Sequence, residues 1–409
     1  MPGETPEARP GFRGSLLLLL VVVFINIAGF SLILPLLPFY GQALDASPFA
    51  VTTLFAAYSL GNIFGEIFWG RLSDKVGRRR ILIVAIACAA LSYVAFAYAS
   101  VLWLALLIRV ISGFFSGTLG VCQSYIADIT PPQDRAKSFG YFGAAFNLGF
   151  ALGPAIGGLL ARPELGLVGF RLPILVAAGL AGAAALWSFL VLKETRVGGT
   201  AQVQKWGDAL KFVSTHSLVM RLFILAFIAV GAFASMEAVF GLWTEHNFGW
   251  STSEVGLTFI GLGAAGMFVQ IFLIGPLVRR FGEARVIVGG LTVLFFSMVL
   301  QPVLRDPIAA VALMTCLMVG HSLTFPNLGG LVSRSAGSDV QGSVNGLLMA
   351  NNALSRIVTP PFFGFVFTAA GPDYPYFVCA GLIAVAVFVA LQVVRIRTAE
   401  EAEKAEATT

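Results

Sequence analysis

Long apolar runs separated by short polar segments occupy almost the whole chain. Each run is long enough for an α-helix to cross the hydrocarbon core of a bilayer, which takes roughly 20 residues. The runs are continuous rather than alternating, so they predict helices and exclude a spanning β-barrel. Twelve runs can be counted, at approximately 15–37, 50–69, 81–98, 101–125, 139–161, 170–192, 221–243, 254–278, 286–303, 308–331, 342–369 and 374–394.

The composition also indicates an integral membrane protein. Of the 409 residues, 57% are hydrophobic and only 11% are charged, which is too few charges to cover a soluble domain of this size. The mean hydropathy is +0.87. We therefore expect an all-α integral membrane fold with twelve transmembrane helices, surrounded by the lipid bilayer.

Lysine and arginine are distributed unevenly between the segments that join the runs. If the basic turn at 70–80 is cytoplasmic, 21 of the 26 Lys and Arg residues lie on cytoplasmic segments and three lie on outer loops. Cytoplasmic loops of membrane proteins carry this excess. The pattern predicts a multi-pass protein of the inner (plasma) membrane with both termini in the cytoplasm. The net charge of +5 then reflects topology, and no nucleic-acid partner is expected.

The sequence repeats after half its length. The repeated positions lie 205 or 206 residues apart: Gly70 matches Gly275, Gly140 matches Gly346, and Pro154 matches Pro360. We predict two pseudo-symmetric six-helix bundles, 1–192 and 221–409, the second ending in a short cytoplasmic tail. A cytoplasmic linker at 193–220 joins them, and its second part predicts a short amphipathic helix on the membrane surface.

Two motifs mark the first half. A glycine-rich basic hairpin between the second and third runs contains Gly70, Leu72, Asp74, Gly77 and Arg78. The fifth run contains a glycine-proline motif made of Gly149, Gly153, Pro154, Gly157 and Gly158.

These motifs resemble those of the major facilitator superfamily. The hairpin is similar to the signature between the second and third spans of that superfamily, and the fifth-run motif is similar to one typical of its antiporters. The stretch 124–130 and the run up to Gly158 resemble most the drug–proton antiporters of the tetracycline-efflux type. The resemblance implies the major facilitator fold, a small-molecule substrate, coupling to protons, and alternating access to a site between two halves.

Two positions depart from the tetracycline pumps. Asn26 stands where those proteins carry a first-span aspartate, and Ser92 stands beside Tyr93 where they carry a third-span aspartate. The departures argue against tetracycline as the substrate and against that proton route. Asn26 is instead expected to line the cavity as a hydrogen-bonding group.

The hairpin is expected to act as a latch. The resemblance implies that Asp74 accepts hydrogen bonds from the start of the eleventh span, near Ser338–Gly342, and that Arg78 pairs with Asp128. These contacts would close the cytoplasmic side in the outward-open state. The alternative is that the arginines only anchor the topology, which leaves the aspartate and the glycines unexplained.

The fifth run has a glycine stripe. Gly149, Gly153 and Gly157 are four residues apart and share one helix face, which allows close contact that we expect to be with the other half. Pro154 lacks a backbone donor and bends the helix. Tight packing alone is the alternative to an antiporter role, which depends on the resemblance.

Arg109 lies about eight residues into the fourth run, with Gly113 and Gly117 on its face. A buried cation costs about 2.5–3.5 kcal/mol on insertion scales, so it needs a partner or a wet cavity. We expect Arg109 to act on a nearby carboxylate or to bind an anionic group. The alternative is that its side chain extends to the membrane surface.

Glu237, deep in the seventh run, is the best candidate to carry a coupling proton. Arg356 lies at a similar depth in the eleventh run, so an ion pair is feasible, and a permanent structural salt bridge is the alternative. Asn352, Arg356 and Thr359 are spaced i, i+4 and i+7, which predicts a polar stripe.

Other candidates carry weaker signals. Glu66 is expected to pair with Arg71 or another hairpin cation, with proton transport as its alternative role. His321 is expected to be a hydrogen-bonded packing residue rather than a titrating one. Three phenylalanines are candidate walls for an apolar ligand: Phe30, Phe233 and Phe240.

Several functions are compared by the sequence features they require. Proton-driven export of lipophilic small molecules, including cations, fits the antiporter motif. A facilitator or proton symporter that imports a metabolite fits the missing aspartates. A membrane receptor would need a long loop or soluble domain, and an enzyme would need a catalytic cluster; the sequence shows neither.

We expect no cofactor and no metal. The four cysteines lie within the runs without paired spacing. The sequence also lacks the Gly-x-x-x-x-Gly-Lys-Ser/Thr pattern of ATP-driven transport. We also expect a monomeric transporter, with protons and a small molecule as its partners.

Overall fold

The structure is a computed structural model that describes residues 12–131, 134–195, 206–336 and 340–406. Within these ranges the chain is almost entirely helical and contains no β-strand. Part of the predicted linker, at 196–205, and Ser338 near the predicted start of the eleventh span lie outside the described residues.

Within residues 12–131 and 134–195, the first half contains eight α-helices, and two 3₁₀ helices have described bounds. The α-helices are α1 (Phe12–Leu32), α2 (Leu37–Gln42), α3 (Pro48–Val76), α4 (Arg78–Ala97), α5 (Leu102–Ser116), α6 (Leu119–Ile129), α7 (Arg135–Leu160) and α8 (Arg171–Val191). The 3₁₀ helices are Leu34–Leu36 and Pro163–Phe170.

The second half contains eight α-helices and one π-helical segment. The α-helices are α9 (Trp206–Thr215), α10 (Ser217–Phe248), α11 (Thr252–Phe268), α12 (Ile274–Phe281), α13 (Glu283–Leu304), α14 (Pro307–Ser335), α15 (Gln341–Ala370) and α16 (Tyr374–Glu406). The π-helical segment Val269–Leu273 joins α11 to α12. Helix α9 is the short helix expected in the linker.

Twelve helical segments are long enough to cross a bilayer. Eleven are long and apolar enough by length and composition within the described residues, and three of these join α1 to α2, α5 to α6 and α11 to α12. The twelfth is α3, whose 29 residues extend roughly 43 Å. Its Thr, Ser, Asn and Glu side chains lower its hydropathy, but it packs between α5 and α15 inside the bundle. The twelve predicted runs are thus all helical.

The repeat predicted from the sequence is visible in the backbone at two turns. Gly77 is the single residue between α3 and α4, and Gly282 is the single residue between α12 and α13. Their φ angles are 109° and 77°, which glycine adopts without the strain that a Cβ introduces. We call the end of the bundle that carries these turns the hairpin end, and the opposite end the far end.

Small residues bring α3 and α5 into close contact. A Cβ at Gly61 would overlap the carbonyl oxygen of Val110, and a Cβ at Gly113 would overlap the carbonyl oxygen of Tyr58. In the absence of a hydrophobic driving force between membrane helices, such close backbone packing is a main source of association. These glycines therefore fix the position of α5, which carries Arg109.

Polar side chains tie α10 to α15 along three successive turns. Asn351 Nδ2 donates to the Phe223 carbonyl at 3.2 Å, Ser355 Oγ to the Phe227 carbonyl at 2.5 Å, and Thr359 Oγ1 to the Gly231 carbonyl at 3.0 Å. The spacing of four residues on both helices makes this a regular ladder. Thr359 belongs to the ladder and faces α10, so the predicted stripe of Asn352, Arg356 and Thr359 is divided between two faces.

The two halves of the chain contact each other along α7–α11 and α3–α15. On α7, Gly158 lies against α11, where Thr252 Oγ1 and Ser253 Oγ both donate to the Gly158 carbonyl. At the far end, Gln42 Nε2 donates to Glu245 Oε2. Gly364 of α15 lies close to the first turn of α3. The far end is therefore held together by contacts between the halves.

We predict that Gly61→Val destabilises the protein. The new side chain would meet backbone atoms of α5 that cannot move aside, and overpacking of this kind costs about 1–3 kcal/mol. The melting temperature in detergent should fall by several degrees. Gly179→Val on α8 is the matched control, because no atom lies within 4 Å of its Cβ position. Equal melting temperatures for the two variants would contradict the prediction.

Candidate functional site

Two adjoining cavities lie within the helix bundle. The smaller has a volume of about 70 Å³ and the larger about 260 Å³. Three residues line both: Phe30 of α1, Glu237 of α10 and Arg356 of α15. Both cavities are lined by helices from the two halves of the chain, so any relative movement of the halves changes their shape.

Glu237 is the carboxylate that lines both cavities. Its side chain is half-buried, and its Oε1 atom is buried without a hydrogen-bond partner. Arg356 lines the same space, but the two described side chains form no ion pair within 4.0 Å. The feasible ion pair is therefore not made in this structure, although the two charges remain within electrostatic range.

Arg356 is central to the charge distribution of the site. Its guanidinium lies within electrostatic range of Glu66, Glu237 and His321. Glu66 forms no ion pair with Arg71 or with another described cation, contrary to the expected local pair. Glu66 is instead partly buried within electrostatic range of Arg356 on α15.

Arg109 is buried without a carboxylate partner. Its side chain is 1% exposed, so the expected alternative of reaching the membrane surface is wrong. Its Nε donates to the Leu54 carbonyl at 3.2 Å, and its Cζ lies 4.6 Å from the centre of the Tyr58 ring. Its Nη1 has no hydrogen-bond partner. Arg109 also lines the smaller cavity, where an unpaired guanidinium is available to a ligand.

Aromatic rings form much of the cavity walls. Phe30 stacks on Tyr58 with ring centres 4.7 Å apart, and Phe233 stacks on His321 at 4.3 Å. The Nδ1 atom of His321 lacks a hydrogen-bond partner, so the residue packs by stacking rather than by the expected hydrogen bond. Phe233 lines the larger cavity, as expected for a wall residue. Phe240 is 1% exposed and lines neither cavity.

Tyr58 was not among the expected site residues. It lies on a face of α3 with Phe55, Ser59 and Asn62, all of which line the smaller cavity. Their spacing of i, i+3, i+4 and i+7 is a helical face of aromatic and polar side chains. That pattern in an otherwise apolar run was the available signal.

A polar contact between the halves was also missed. Asn147 Nδ2 of α7 donates to Gln270 Oε1 at 2.6 Å, and both residues line the larger cavity. Gln270 lies within the π-helical segment, a geometry that is frequent at functional sites. No sequence pattern predicts where a helix widens in this way.

The two expected polar residues Asn26 and Asn352 lie elsewhere. Asn26 is half-buried on α1 and does not line either cavity. Asn352 is 7% exposed, and its Oδ1 has no hydrogen-bond partner. It is adjacent to the ladder residue Asn351 and one turn from Arg356 on α15, but it lines neither cavity.

At the hairpin end, Arg78 is enclosed by carboxylates. Its Nε contacts Asp128 Oδ2, and its Nη2 lies 3.4 Å from Asp74 Oδ1. The Arg78 side chain is only 6% exposed, whereas both aspartates are 26% exposed. The structure thus brings together the three charged residues of the expected latch. Helix α15 begins at Gln341, close to the expected start of the eleventh span.

The beginning of the linker binds the same hairpin. Glu194 Oε1 accepts a hydrogen bond from the backbone N–H of Arg79, at the positive N-terminal end of α4. A Cβ at Gly77 would overlap the Glu194 carboxylate, which explains the glycine there in addition to its backbone angle. Thr195 Oγ1 donates to Asp128 at 3.2 Å. The linker residues were not expected in the latch, because nothing in their sequence specifies this partner.

The glycine stripe of α7 packs within its own half. Cβ atoms at Gly149, Gly153 and Gly157 would overlap α1, contrary to the expected contact with the other half. Gly158 is the member of the motif that meets α11. Pro154 lies inside α7, which continues to Leu160. Helix periodicity identifies the shared face but does not identify the neighbour that the face contacts.

Comparisons with known proteins cover most of the chain. The family model of the Major Facilitator Superfamily matches residues 19–360 and 246–409. Tetracycline resistance protein, class G, of Vibrio anguillarum is 31% identical over 370 residues, covering 87% of this chain and 91% of that protein. Multidrug resistance protein 2 of Bacillus subtilis (strain 168) is 28% identical over 379 residues, covering 90% and 92%.

Solved structures show the same fold. A bacterial homolog of the human lysosomal transporter Spinster superposes with a TM-score of 0.78 at 16% identity, covering 95% of this chain and 98% of that chain. The human organic anion transporter MFSD10 gives a TM-score of 0.69 at 21% identity, covering 93% and 100%.

We predict that Asp128→Asn destabilises the hairpin end. The change leaves Arg78 buried with only Asp74 as a charged partner, and we expect a loss of about 2–3 kcal/mol, at the lower edge of the range for a broken buried pair. The melting temperature in detergent measures the loss. Glu164→Gln removes the same charge from an exposed residue and should have little effect. Equal effects of both changes would show that the Arg78 contact contributes nothing.

Proposed function

The chain belongs to the Major Facilitator Superfamily, and we propose that it exports lipophilic small molecules in exchange for protons. It is a membrane transporter rather than an enzyme. The relatives named for tetracycline resistance and multidrug resistance support efflux as the direction of transport.

The proposed coupling to protons depends on the position of Glu237. It is a carboxylate in the cavity wall with one oxygen that has no hydrogen-bond partner. Ionisable residues within membrane spans are costly, and they commonly serve as proton relays. Substrate and proton would compete for the space around Glu237, so that the binding of one releases the other.

The walls of the larger cavity support a lipophilic substrate. Phe146, Phe150, Phe233 and Phe325 line it together with Met318. Such walls bury the apolar body of a small molecule, and few polar groups would fix its orientation. Asn147 and Gln270 are polar groups in the same cavity lining.

Transport would proceed by movement of two lobes, 1–192 and 221–409, connected by the linker at 193–220. Helices of both lobes line the cavities, which supports a site whose access changes when the lobes rock. The far-end contact between Gln42 and Glu245 must separate to open that side. The hairpin latch would hold the other side closed in the opposite state, with the hairpin end in the cytoplasm of the cell.

A second candidate is proton symport of an anionic metabolite. Arg109 and Arg356 both line the smaller cavity, which contains one carboxylate, Glu237, among its lining residues. Two guanidiniums with one carboxylate would favour an anion. Protonation of Glu237 removes a negative charge beside such an anion, so proton and anion would bind together rather than compete.

The substrate can be identified by screening. An efflux-deficient host that expresses the protein would be exposed to a panel of compounds. Export predicts reduced sensitivity and reduced accumulation of a transported compound. Import predicts increased accumulation.

We predict that Glu237→Gln abolishes proton-driven transport. In proteoliposomes with the transported compound, an imposed inward proton gradient should drive uphill counterflow by the unchanged protein. The amide cannot exchange a proton, so the variant should keep downhill exchange and lose the pH dependence. Full uphill transport by Glu237→Gln would make Glu237 a structural residue.

Two further variants accompany this measurement. Glu164→Gln, at an exposed position outside the cavities, should transport as the unchanged protein does. Glu66→Gln tests the other carboxylate near Arg356. We expect it to keep proton-driven transport, and its loss would assign the coupling proton to Glu66.

We predict that acidification weakens substrate binding. Protonated Glu237 cannot attract a cationic or polar group of the substrate, so competition requires the affinity to fall as the pH falls. Binding of radiolabelled compound to the purified protein over a pH series measures this sign. A rise in affinity on acidification, with loss of binding in Arg109→Gln, would instead support anion symport.

A further inference from the structure

A pocket at the hairpin end of the second half is lined by four arginines. It has a volume of about 420 Å³. Arg280 comes from α12, Arg285 from α13, Arg334 from α14 and Arg397 from α16. Glu283 is the carboxylate among the described lining residues. Four separate helices therefore direct positive charge to one place.

The arginines of this pocket are only partly neutralised. Arg334 pairs with Glu283. The Arg280 guanidinium lies 5.3 Å from the centre of the Phe281 ring, and Arg285 Nη1 donates to the Phe281 carbonyl at 3.4 Å. Among the described side chains, neither Arg280 nor Arg285 forms an ion pair with a carboxylate.

The corresponding turn of the first half is different. There Arg78 contacts Asp74 and Asp128, and Glu194 binds the N-terminal end of α4. The first-half turn thus pairs its buried cation Arg78 with the protein's own carboxylates, whereas Arg280 and Arg285 of the second half have no carboxylate partner among the described side chains. A general excess of cations on one side of the membrane explains the number of arginines at this end of the second half. It does not explain why four of them converge on one pocket.

The surroundings of the pocket are those of a lipid headgroup. Its apolar lining includes Val278, Leu331 and Val394. Leu391 lies one turn from Val394 on α16, and Phe388 lies about one turn further, with exposures of 46% and 62%. These exposed apolar side chains continue from the pocket along a transmembrane helix, where an acyl chain would lie.

We propose that this pocket binds the phosphate headgroup of an anionic phospholipid. Basic pockets between transmembrane helices at the cytoplasmic surface suit such headgroups, because guanidinium groups match phosphate oxygens. The acyl chains would lie against Leu391 and Phe388. The site is separate from the transport cavities, so it does not depend on the proposed direction or coupling of transport.

The test uses the full-length protein purified in detergent. Phosphatidylglycerol, phosphatidylcholine or inorganic phosphate is added at equal concentration, and binding is measured by native mass spectrometry. We expect phosphatidylglycerol to bind at least about tenfold more tightly than phosphatidylcholine. The double variant R280Q/R285Q should lose about thirtyfold in phosphatidylglycerol affinity, since each cation near anionic lipid contributes about 1 kcal/mol.

The matched control is R80Q/K137Q, which removes two exposed cations from the hairpin end of the first half. It should keep the affinity of the unchanged protein.

Equal losses of affinity in both double variants would show that the effect depends only on overall charge, and would overturn the site. Displacement of phosphatidylglycerol by an equal concentration of inorganic phosphate would overturn the lipid assignment. If R280Q/R285Q melts at a lower temperature without lipid, R280K/R285K, which keeps both charges, must bind phosphatidylglycerol more tightly than R280Q/R285Q does; failure to do so overturns the proposal.

Discussion

The cost of placing charge within an apolar medium is the constraint on which this structure depends. Within the transmembrane region, each cation must find a partner inside the protein or face a space that can hold water. Arg78 meets the requirement with two carboxylates. Arg109 meets it with a carbonyl oxygen and an aromatic ring, which leaves one nitrogen unused. The need for partners thus accounts for the carboxylates around Arg78 at the hairpin end and for the position of Arg109 beside the smaller cavity.

The charged side chains differ in their surroundings: some are enclosed by fixed partners, and others face a cavity. Arg78 is enclosed, and the linker residues Glu194 and Thr195 add further hydrogen bonds around it, so the hairpin, the end of α6 and the linker form one connected polar unit. Arg356 and Glu237 face the cavities without pairing directly. A charge with no fixed partner can respond to a ligand or a proton, whereas an enclosed charge holds the structure together.

Sequence reasoning predicted the helices, the repeat and the proximity of the hairpin residues, because length, hydropathy and charge are local properties. It did not predict the neighbours of a helix face. The glycine stripe of α7 was correctly read as a close-packing face, but it contacts α1 rather than the other half. Gln270 and Glu194 were missed because their roles depend on residues distant in sequence, whereas the local spacing of Tyr58 with Ser59 and Asn62 was a signal that was not used. Asn26 and Phe240 were expected in the cavity for their residue type, and the rotation of their helices directs them elsewhere.

The hydrogen-bonded ladder between α10 and α15 has a consequence for the two charges that these helices carry. Three side-chain bonds, one per turn, prevent the helices from sliding or rotating against each other. Glu237 and Arg356 therefore keep an almost constant separation whichever side of the membrane is accessible. In the proposed cycle, the distance that changes is therefore the one from these two charges to the aromatic and cationic groups of α3 and α5. The electrostatic environment of Glu237 would then depend on the position of the first half relative to the second.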